Sequence, residues 1–221
     1  MTVDFEVNNK IATITLNRPE SLNAMTPEMY KKLSESWVEV RDNPDIWVAV
    51  IAGAGQPNRP PEKQVFCAGA DMNSFQEAIE NDSIGELVME LTGVLHPLLV
   101  RIRGDPTVVV AAINGAAAGG GLGLALACDT RIASTDAKLA SAFFRLGLSP
   151  DGGTTWLLPR LVGVQRARSF LFNDETWTAA TAMEAGALDE VVEPEELLPR
   201  AIQVATDWGK WSNNSKKSII F

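Results

Sequence analysis

The sequence predicts an α/β fold built around a largely parallel sheet. Apolar strand patterns at 46–51 and 107–113 alternate with segments of helical spacing, such as 83–103. Strands that alternate with helices in this way form right-handed units, in which successive strands run parallel. The chain has 221 residues, 46% of them hydrophobic, which is enough for one such domain with its own core.

The other elements follow from local signals along the chain. Residues 3–7 and 10–16 alternate in polarity around Asn8-Asn9, which predicts a hairpin. Thr26-Pro27-Glu28 combines a cap, a first-turn proline and a first-turn acid, so we expect a helix from there to about Arg41. Further predicted elements are an irregular loop at 53–65, a strand at 130–133, helices at 152–161, 163–172 and 178–185, a strand at 188–192 and a helix at 194–209.

Charge and composition argue against several classes of partner. The net charge of −9 disfavours nucleic acid as the main ligand. The sequence contains two cysteines, Cys67 and Cys128, which favours a reducing, cytoplasmic setting over a disulfide framework. The N-terminus lacks the pattern of a signal peptide, and no window approaches the ~18 apolar residues of a membrane span. We therefore expect neither a nucleic-acid partner nor a membrane.

Two glycine-containing turns are the most informative features of the chain. The strand at 108–110 leads through 111–123, which contains five glycines, into a helical segment. Such a turn exposes backbone N–H groups at a helix N-terminus. A similar turn occupies 66–72. If the two converge, each can donate one N–H to a single carbonyl oxygen, and each such donor lowers the barrier by roughly 3–4 kcal/mol as charge develops there.

Several motifs, in order along almost the whole chain, resemble the crotonase family (the enoyl-CoA hydratase/isomerase superfamily). The nearest resemblance is to members with a Ser/Ile-Pro-Asp turn in the active site. The segments that carry the resemblance are 17–25, 66–72, 112–123, 146–154 and 185–192.

The resemblance implies an α/β fold of the crotonase type, a spiral of ββα units with a C-terminal helical part. Residues 1–195 correspond to the spiral core. Residues 196–221 correspond to the start of the C-terminal helical region, which is shorter here than in the family. The resemblance also implies a homotrimer or a dimer of trimers.

The resemblance further assigns roles to individual residues. The backbone N–H groups of Ala68 and Gly120 would hold a thioester oxygen and stabilise an enolate. The substrate would be an acyl-CoA thioester, with coenzyme A entering as part of it and with no bound cofactor or metal. The residues expected along the adenine, pantetheine and acyl path are Ala24, Ala70, Asp71, Met72, Gly119, Phe143 and Leu146.

Two departures from the family pattern limit the reactions that we expect this chain to catalyse. The two glutamates of the family's hydratases fall at Gly123 and Phe143, which cannot transfer protons. This disfavours hydration by the two-carboxylate route, and it excludes isomerases that use the second glutamate. Asp151 is the acid left in the active-site turn. In isomerases of aromatic-acyl-CoA breakdown with this turn, the aspartate is the acid/base.

Our first hypothesis is therefore an enoyl-CoA isomerase that uses Asp151 as acid and base. Alternatives are a hydratase or hydrolase in which Asp151 activates water, and a non-catalytic acyl-CoA-binding module. In the family's dehalogenase branch the aspartate is a nucleophile. His96 falls at the position of the catalytic histidine of that branch. The active-site tryptophan of the branch, however, falls at Phe143, which disfavours dehalogenation here.

Structural roles compete with these assignments. Asp151 precedes a helix start, and a capping carboxylate would have a lowered pKa, whereas a base in an apolar pocket would have a raised one. Asp71 could equally cap its own helix. For His96, packing on a helix face without proton transfer is the favoured interpretation.

Overall fold

The computed structural model describes residues 2–211, which fold as two sheets surrounded by helices. The strands of this part of the chain are β1 (Val3–Asn8), β2 (Ile11–Leu16), β3 (Val48–Gly53), β4 (Val65–Cys67), β5 (Val108–Ile113), β6 (Ala116–Ala118), β7 (Thr130–Ser134), β8 (Lys138–Ala140), β9 (Thr176–Thr178) and β10 (Glu190–Val192). The α-helices are α1 (Pro27–Asp42), α2 (Met72–Glu80), α3 (Ile84–Gly104), α4 (Gly120–Ala127), α5 (Thr154–Val162), α6 (Val164–Phe172), α7 (Ala179–Ala185) and α8 (Leu197–Trp208).

From β3 to β8 the strands alternate between the two sheets, which generates a spiral. The larger sheet has the order β1-β2-β3-β5-β7-β10, and the smaller one has the order β4-β6-β8-β9. The pairs β3 and β4, β5 and β6, and β7 and β8 each place one strand in each sheet before the chain enters a helix. Pairing is parallel except in the β1–β2 hairpin and between β8 and β9. The predicted spiral of ββα units is confirmed.

Helices cover both faces of the larger sheet, which explains its nearly continuous apolar strands. The main core lies between this sheet, the smaller sheet and helices that include α1 and α3. On the opposite face, α8 packs Leu197, Ala201 and Val204 against β3 and β5. The helix predicted at 194–209 therefore forms part of the core. The remainder of the predicted C-terminal region, 212–221, lies outside the described residues.

Local signals predicted the long elements well and the short ones poorly. Thr26 caps α1, since its Oγ1 accepts the Met29 N–H at 3.3 Å. The three-residue strands β6, β8 and β9 carry no periodicity long enough to detect, and β4 begins at Val65, where an irregular loop was predicted. Helix α5 begins at Thr154, two residues later than predicted, because Gly152 and Gly153 both have positive φ.

No helix in residues 2–211 is long and apolar enough to cross a membrane. The same residues contain no group of three or more His, Cys, Asp or Glu side chains that could hold a metal ion.

Candidate active site

A cavity of about 320 Å³ lies where the turns after β4 and β6 meet α3. One wall comes from α3, through side chains that include Leu91, Leu95 and His96. The floor comes from the two glycine turns, and the loop after β8 closes the side that carries Asp151. Apolar side chains dominate this lining, so a charged group inside it is partly removed from water.

The turn after β4 directs the N–H of Ala70 away from its neighbouring strand. The Met25 N–H donates to the Gly69 carbonyl at 2.7 Å, and the Met25 carbonyl accepts the Asp71 N–H at 3.1 Å. Met25 therefore pairs with the residues on both sides of Ala70, as in a parallel bridge. The Ala70 N–H points to the other side, where Ala70 lines the cavity, and it has no acceptor within residues 2–211.

The first oxyanion donor in the structure is Ala70, two residues after the predicted Ala68. Ala68 lines the cavity, but its N–H already donates to the Leu22 carbonyl at 3.2 Å. An N–H with a backbone acceptor is not available to a ligand unless that bond breaks. Ala70, predicted only as a contact along the substrate path, has the free donor instead. The prediction for Ala68 is corrected accordingly.

The second turn supplies the matching donor. Gly119 has a φ of +52°, which turns the chain from β6 into α4, and Gly120 is the first residue of that helix. The first N–H groups of a helix lack intrahelical partners. The two turns are in contact, since a Cβ on Gly69 would lie 3.4 Å from the Gly120 nitrogen. The Gly120 N–H has no acceptor in the described part of the chain, so the turns present two free donors side by side.

Helix α4 approaches its surroundings too closely for side chains at two positions. A Cβ on Gly121 would lie 2.5 Å from the Cys67 carbonyl oxygen. A Cβ on Gly123 would lie 2.2 Å from the Gly152 carbonyl oxygen, in the turn that carries Asp151. The backbone thus occupies the position of the family's first glutamate. Gly123 both lacks a carboxylate and lies where no side chain fits.

Asp151 does not cap α5 with its side chain. The Thr154 N–H and hydroxyl donate to the Asp151 main-chain carbonyl, at 3.0 and 2.7 Å, so the carboxylate is left to face the cavity. Burial raises the pKa of this carboxyl above its usual value, against an opposing effect of His96. A raised pKa is expected for a base in an apolar pocket, whereas a carboxylate that caps a helix would have a lowered pKa.

His96 faces the same space. Its Nε2 lies 3.6 Å from Asp151 Oδ2, and it lines the cavity from α3 with 48% of its side chain exposed. His96 is therefore exposed in the cavity and not packed against a helix face; that it takes no part in proton transfer stays a prediction. Among the described residues Asp151 is the one carboxylate that lines this cavity, and the structure brings the single histidine of the chain to it.

The residues predicted along the substrate path divide into two groups. Ala70, Met72, Gly119, Phe143 and Leu146 all line the cavity.

Ala24 and Asp71 lie outside this lining and make contacts within the fold, and their place on the adenine and pantetheine path stays a prediction. The Ala24 carbonyl accepts a hydrogen bond from Arg18 at 2.6 Å. Asp71 is only 5% exposed; its Oδ1 accepts the Asn73 N–H at 2.9 Å, and its Oδ2 pairs with Arg18 at 2.8 Å. Neither residue lines the cavity, so of the alternatives for Asp71 the structure supports the helix cap.

We expect Asp71→Ala to lower the free energy of unfolding by about 2–4 kcal/mol, because it removes a cap and leaves the Arg18 charge without its partner. Urea unfolding followed by circular dichroism measures this loss. The half-exposed Asp207, which pairs with Lys210, is the control, and Asp207→Ala should leave the midpoint nearly unchanged. Unchanged stability with weakened acyl-CoA binding would instead assign Asp71 to the ligand.

Sequence reasoning missed the wall that α3 and α1 contribute. The residues are Tyr30, Val88, Leu91, Thr92 and Leu95. The spacing of the leucines predicted an amphipathic helix, but the same spacing serves a core and a pocket wall alike. The position of Tyr30 depends on how α1 packs against α3, which no local pattern encodes.

Comparisons with known proteins show which proteins this chain is similar to. The family profile described as enoyl-CoA hydratase/isomerase matches residues 6–219. The chain is 38% identical over 199 residues to the 1,2-epoxyphenylacetyl-CoA isomerase of Escherichia coli, covering 90% of this chain and 72% of that one. It is also 38% identical over 199 residues to the (E)-benzylidenesuccinyl-CoA hydratase of Thauera aromatica, covering 89% and 72%. Among solved structures, the enoyl-CoA hydratase from Bacillus anthracis superposes with a TM-score of 0.88 at 29% identity, covering 98% of this chain and 80% of that one.

Proposed function

Because the chain belongs to the enoyl-CoA hydratase/isomerase family, also called the crotonase family, we propose that it is an acyl-CoA isomerase. In this proposal, the N–H groups of Ala70 and Gly120 stabilise a CoA-thioester enolate, and Asp151 moves the proton. The choice of an isomerase over a hydratase rests on the position of Gly123. The Gly152 carbonyl takes the space of a hydratase carboxylate there, while Asp151 is the one carboxylate that faces the cavity within residues 2–211.

The relatives alone do not decide between the two reactions, since a named isomerase and a named hydratase are equally similar to this chain. The choice therefore depends on the residues of this chain. Two-carboxylate hydration requires one group to activate water and another to protonate the α-carbon. Gly123 and Phe143 supply neither, whereas isomerisation requires a single group that removes a proton and returns it.

The proposed mechanism uses coenzyme A only as part of the substrate. The thioester oxygen accepts hydrogen bonds from Ala70 and Gly120, at the N-terminus of α4, where the helix dipole favours negative charge. Asp151 removes a proton from the α-carbon of a β,γ-unsaturated acyl group, and the electron pair moves into the dienolate. The protonated Asp151 then returns the proton to the γ-carbon, and the double bond moves to the α,β position.

The direct test uses vinylacetyl-CoA, whose double bond is β,γ. We expect the native protein to convert it to crotonyl-CoA, seen as the rise in absorbance of a conjugated enoyl thioester. When the reaction runs in water labelled with heavy oxygen, mass spectrometry should find no label in the product. Labelled 3-hydroxybutyryl-CoA as the main product would contradict an isomerase and indicate a hydratase.

A second candidate is supported by the distance of 3.6 Å between His96 and Asp151. A histidine beside a carboxylate can activate water, or can assist hydrolysis of an ester formed on the carboxylate. This would be hydrolytic or dehalogenase-like chemistry. A single-turnover reaction in labelled water distinguishes it, because label would then appear in a released carboxylic acid or in the Asp151 carboxyl group.

Proton transfer by Asp151 should depend on pH in a defined direction. The base must be ionised, and burial raises its pKa, so the rate should rise with pH through an apparent pKa above the ~3.9 of an ordinary aspartate. The profile of kcat/KM for vinylacetyl-CoA measures this value. A rate independent of pH from below 4 to neutrality would exclude Asp151 as a base with a raised pKa.

We also propose that the protein is a cytoplasmic homotrimer or dimer of trimers. The family resemblance supports this assembly, and so does an exposed aromatic pair, Phe144 and Phe172, whose ring centroids lie 6.1 Å apart. Light scattering after gel filtration should give a mass three or six times that of the 23.8 kDa chain. A monomer mass at micromolar concentration would contradict the proposal.

A further inference from the structure

Tyr30 places a hydroxyl at the wall of the cavity without a partner in the described residues. The residue is 2% exposed on the inward face of α1, and it lines the cavity. Within residues 2–211, no group donates to or accepts from this hydroxyl. A hydroxyl that faces a cavity without a protein partner can donate a hydrogen bond to a polar group of a ligand bound there.

The hydroxyl lies against the main chain of the second oxyanion turn. A Cβ on Gly120 would lie 3.0 Å from Tyr30 Oη and 3.6 Å from the side chains of Leu95 and Met25. Glycine at 120 thus leaves room for the hydroxyl beside the residue that presents the free N–H. Cys67 and Asp151 lie close enough to act on the hydroxyl electrostatically, but neither hydrogen-bonds to it in residues 2–211, so a bound acyl-CoA can supply its acceptor.

We propose that Tyr30 donates a hydrogen bond to the thioester oxygen, alongside the N–H groups of Ala70 and Gly120. This inference rests on the proposed function of the site. It gives the oxyanion site three donors, two from the main chain and one from a side chain.

Tyr30 acts as a donor and not as the base. Burial raises the pKa of Tyr30 far above its usual value, and the nearby Asp151 carboxylate acts in the same direction, so the hydroxyl keeps its proton. A neutral donor strengthens its hydrogen bond as the oxygen gains negative charge, which favours the enolate over the ground state.

The test compares Tyr30→Phe with the native protein, since this change removes one oxygen and keeps the ring. In deuterium oxide, we expect the variant to exchange the α-protons of phenylacetyl-CoA 10- to 100-fold more slowly, with a smaller change in its dissociation constant. We also expect the infrared carbonyl band of bound phenylacetyl-CoA, isotope-labelled at the thioester carbon, to shift back toward its position in free solution. The melting temperature should be unchanged or higher, because the lost hydroxyl has no partner in the free protein.

Trp37→Phe is the matched control on the same buried face of α1. The Trp37 Nε1–H donates to Asp105 at 2.8 Å, so its polar atom has a protein partner. This variant should melt at a lower temperature while its exchange rate and carbonyl band stay native, the reverse of the pattern for Tyr30→Phe.

Native exchange together with a native carbonyl band in Tyr30→Phe would overturn the assignment of Tyr30 while leaving the proposed function in place. If the native protein binds phenylacetyl-CoA but exchanges no protons, the proposed function fails by itself. The carbonyl band still tests Tyr30 in that case, because polarisation of a bound thioester requires no turnover.

Discussion

Replacing Asp151 by asparagine is expected to reduce proton exchange and isomerisation by about 10²- to 10⁴-fold, the usual range for loss of a positioned acid/base group. Asparagine has the size of aspartate but cannot accept a proton from carbon. The contacts of Asp151 that hold the start of α5 come from its main-chain carbonyl, which the substitution keeps. Solvent exchange into phenylacetyl-CoA, followed by NMR, measures the loss.

The same substitution should leave the protein as stable as the native chain, or more stable, near neutral pH. A carboxyl whose pKa is raised by folding binds its proton more tightly in the native state than in the unfolded one. Its contribution is therefore favourable below the unfolded-state value of ~3.9 and declines as the pH rises toward the higher folded-state pKa. Asparagine lacks this dependence, so the advantage of Asp151→Asn should shrink as the pH falls.

The exposed Asp45 provides a control for the chemical change itself. Asp45→Asn should retain native exchange and native stability, because the residue lies in a surface turn before β3. Retained exchange in Asp151→Asn would transfer the role of base to His96. Loss of both exchange and folding in that variant would indicate that the carboxylate is structural.

The second large effect is expected at Gly123, where Gly123→Ala should lower the free energy of unfolding by about 3 kcal/mol or more. The added Cβ would lie 2.2 Å from the Gly152 carbonyl oxygen, which belongs to backbone and cannot rotate away. Either α4 or the turn that carries Asp151 must shift, and the active site with it. Urea unfolding and the exchange assay together measure the two consequences.

Gly93→Ala is the matched control for Gly123→Ala. Gly93 is an exposed glycine within α3, and nothing lies within 4 Å of its Cβ position. Alanine there should stabilise the protein by about 0.5–1 kcal/mol through helix propensity and the unfolded chain. Native stability in Gly123→Ala would show that α4 packs less closely against the Gly152 turn than the structure indicates. Gly123→Glu with hydratase activity would show directly that the site accepts a carboxylate.

Much of the fold was readable from the sequence because its long elements carry strong local patterns. The apolar runs of β3 and β5 and the leucine spacing of α3 each identify one element without reference to the others. The three-residue strands β6 and β8 do not, because their existence depends on pairing with strands distant in the chain. Motif resemblance supplied the order in which these pieces assemble.

The sequence predicted which turns and which acid form the candidate site, but not which N–H groups are free. The two glycine turns and Asp151 were identified from their sequence context, since glycine turns before helices expose N–H groups wherever they occur. Which N–H is free depends on partners across the fold. Ala68 and Ala70 look alike in sequence, and only the pairing of Leu22 with Ala68 and of Met25 with the neighbours of Ala70 separates them. Tyr30 was missed for the same reason, because its role depends on its contact with Gly120.

The measurement that most directly tests enolate stabilisation at this site is deuterium incorporation into the α-carbon of phenylacetyl-CoA by the native protein. We predict exchange at the α-carbon and at no other carbon, saturating with acyl-CoA concentration and faster than in protein-free solution at the same pH. Saturable binding of phenylacetyl-CoA without any α-exchange would contradict the account. The two free N–H groups would then polarise a thioester for attack by water or by Asp151, or would simply hold an acyl-CoA.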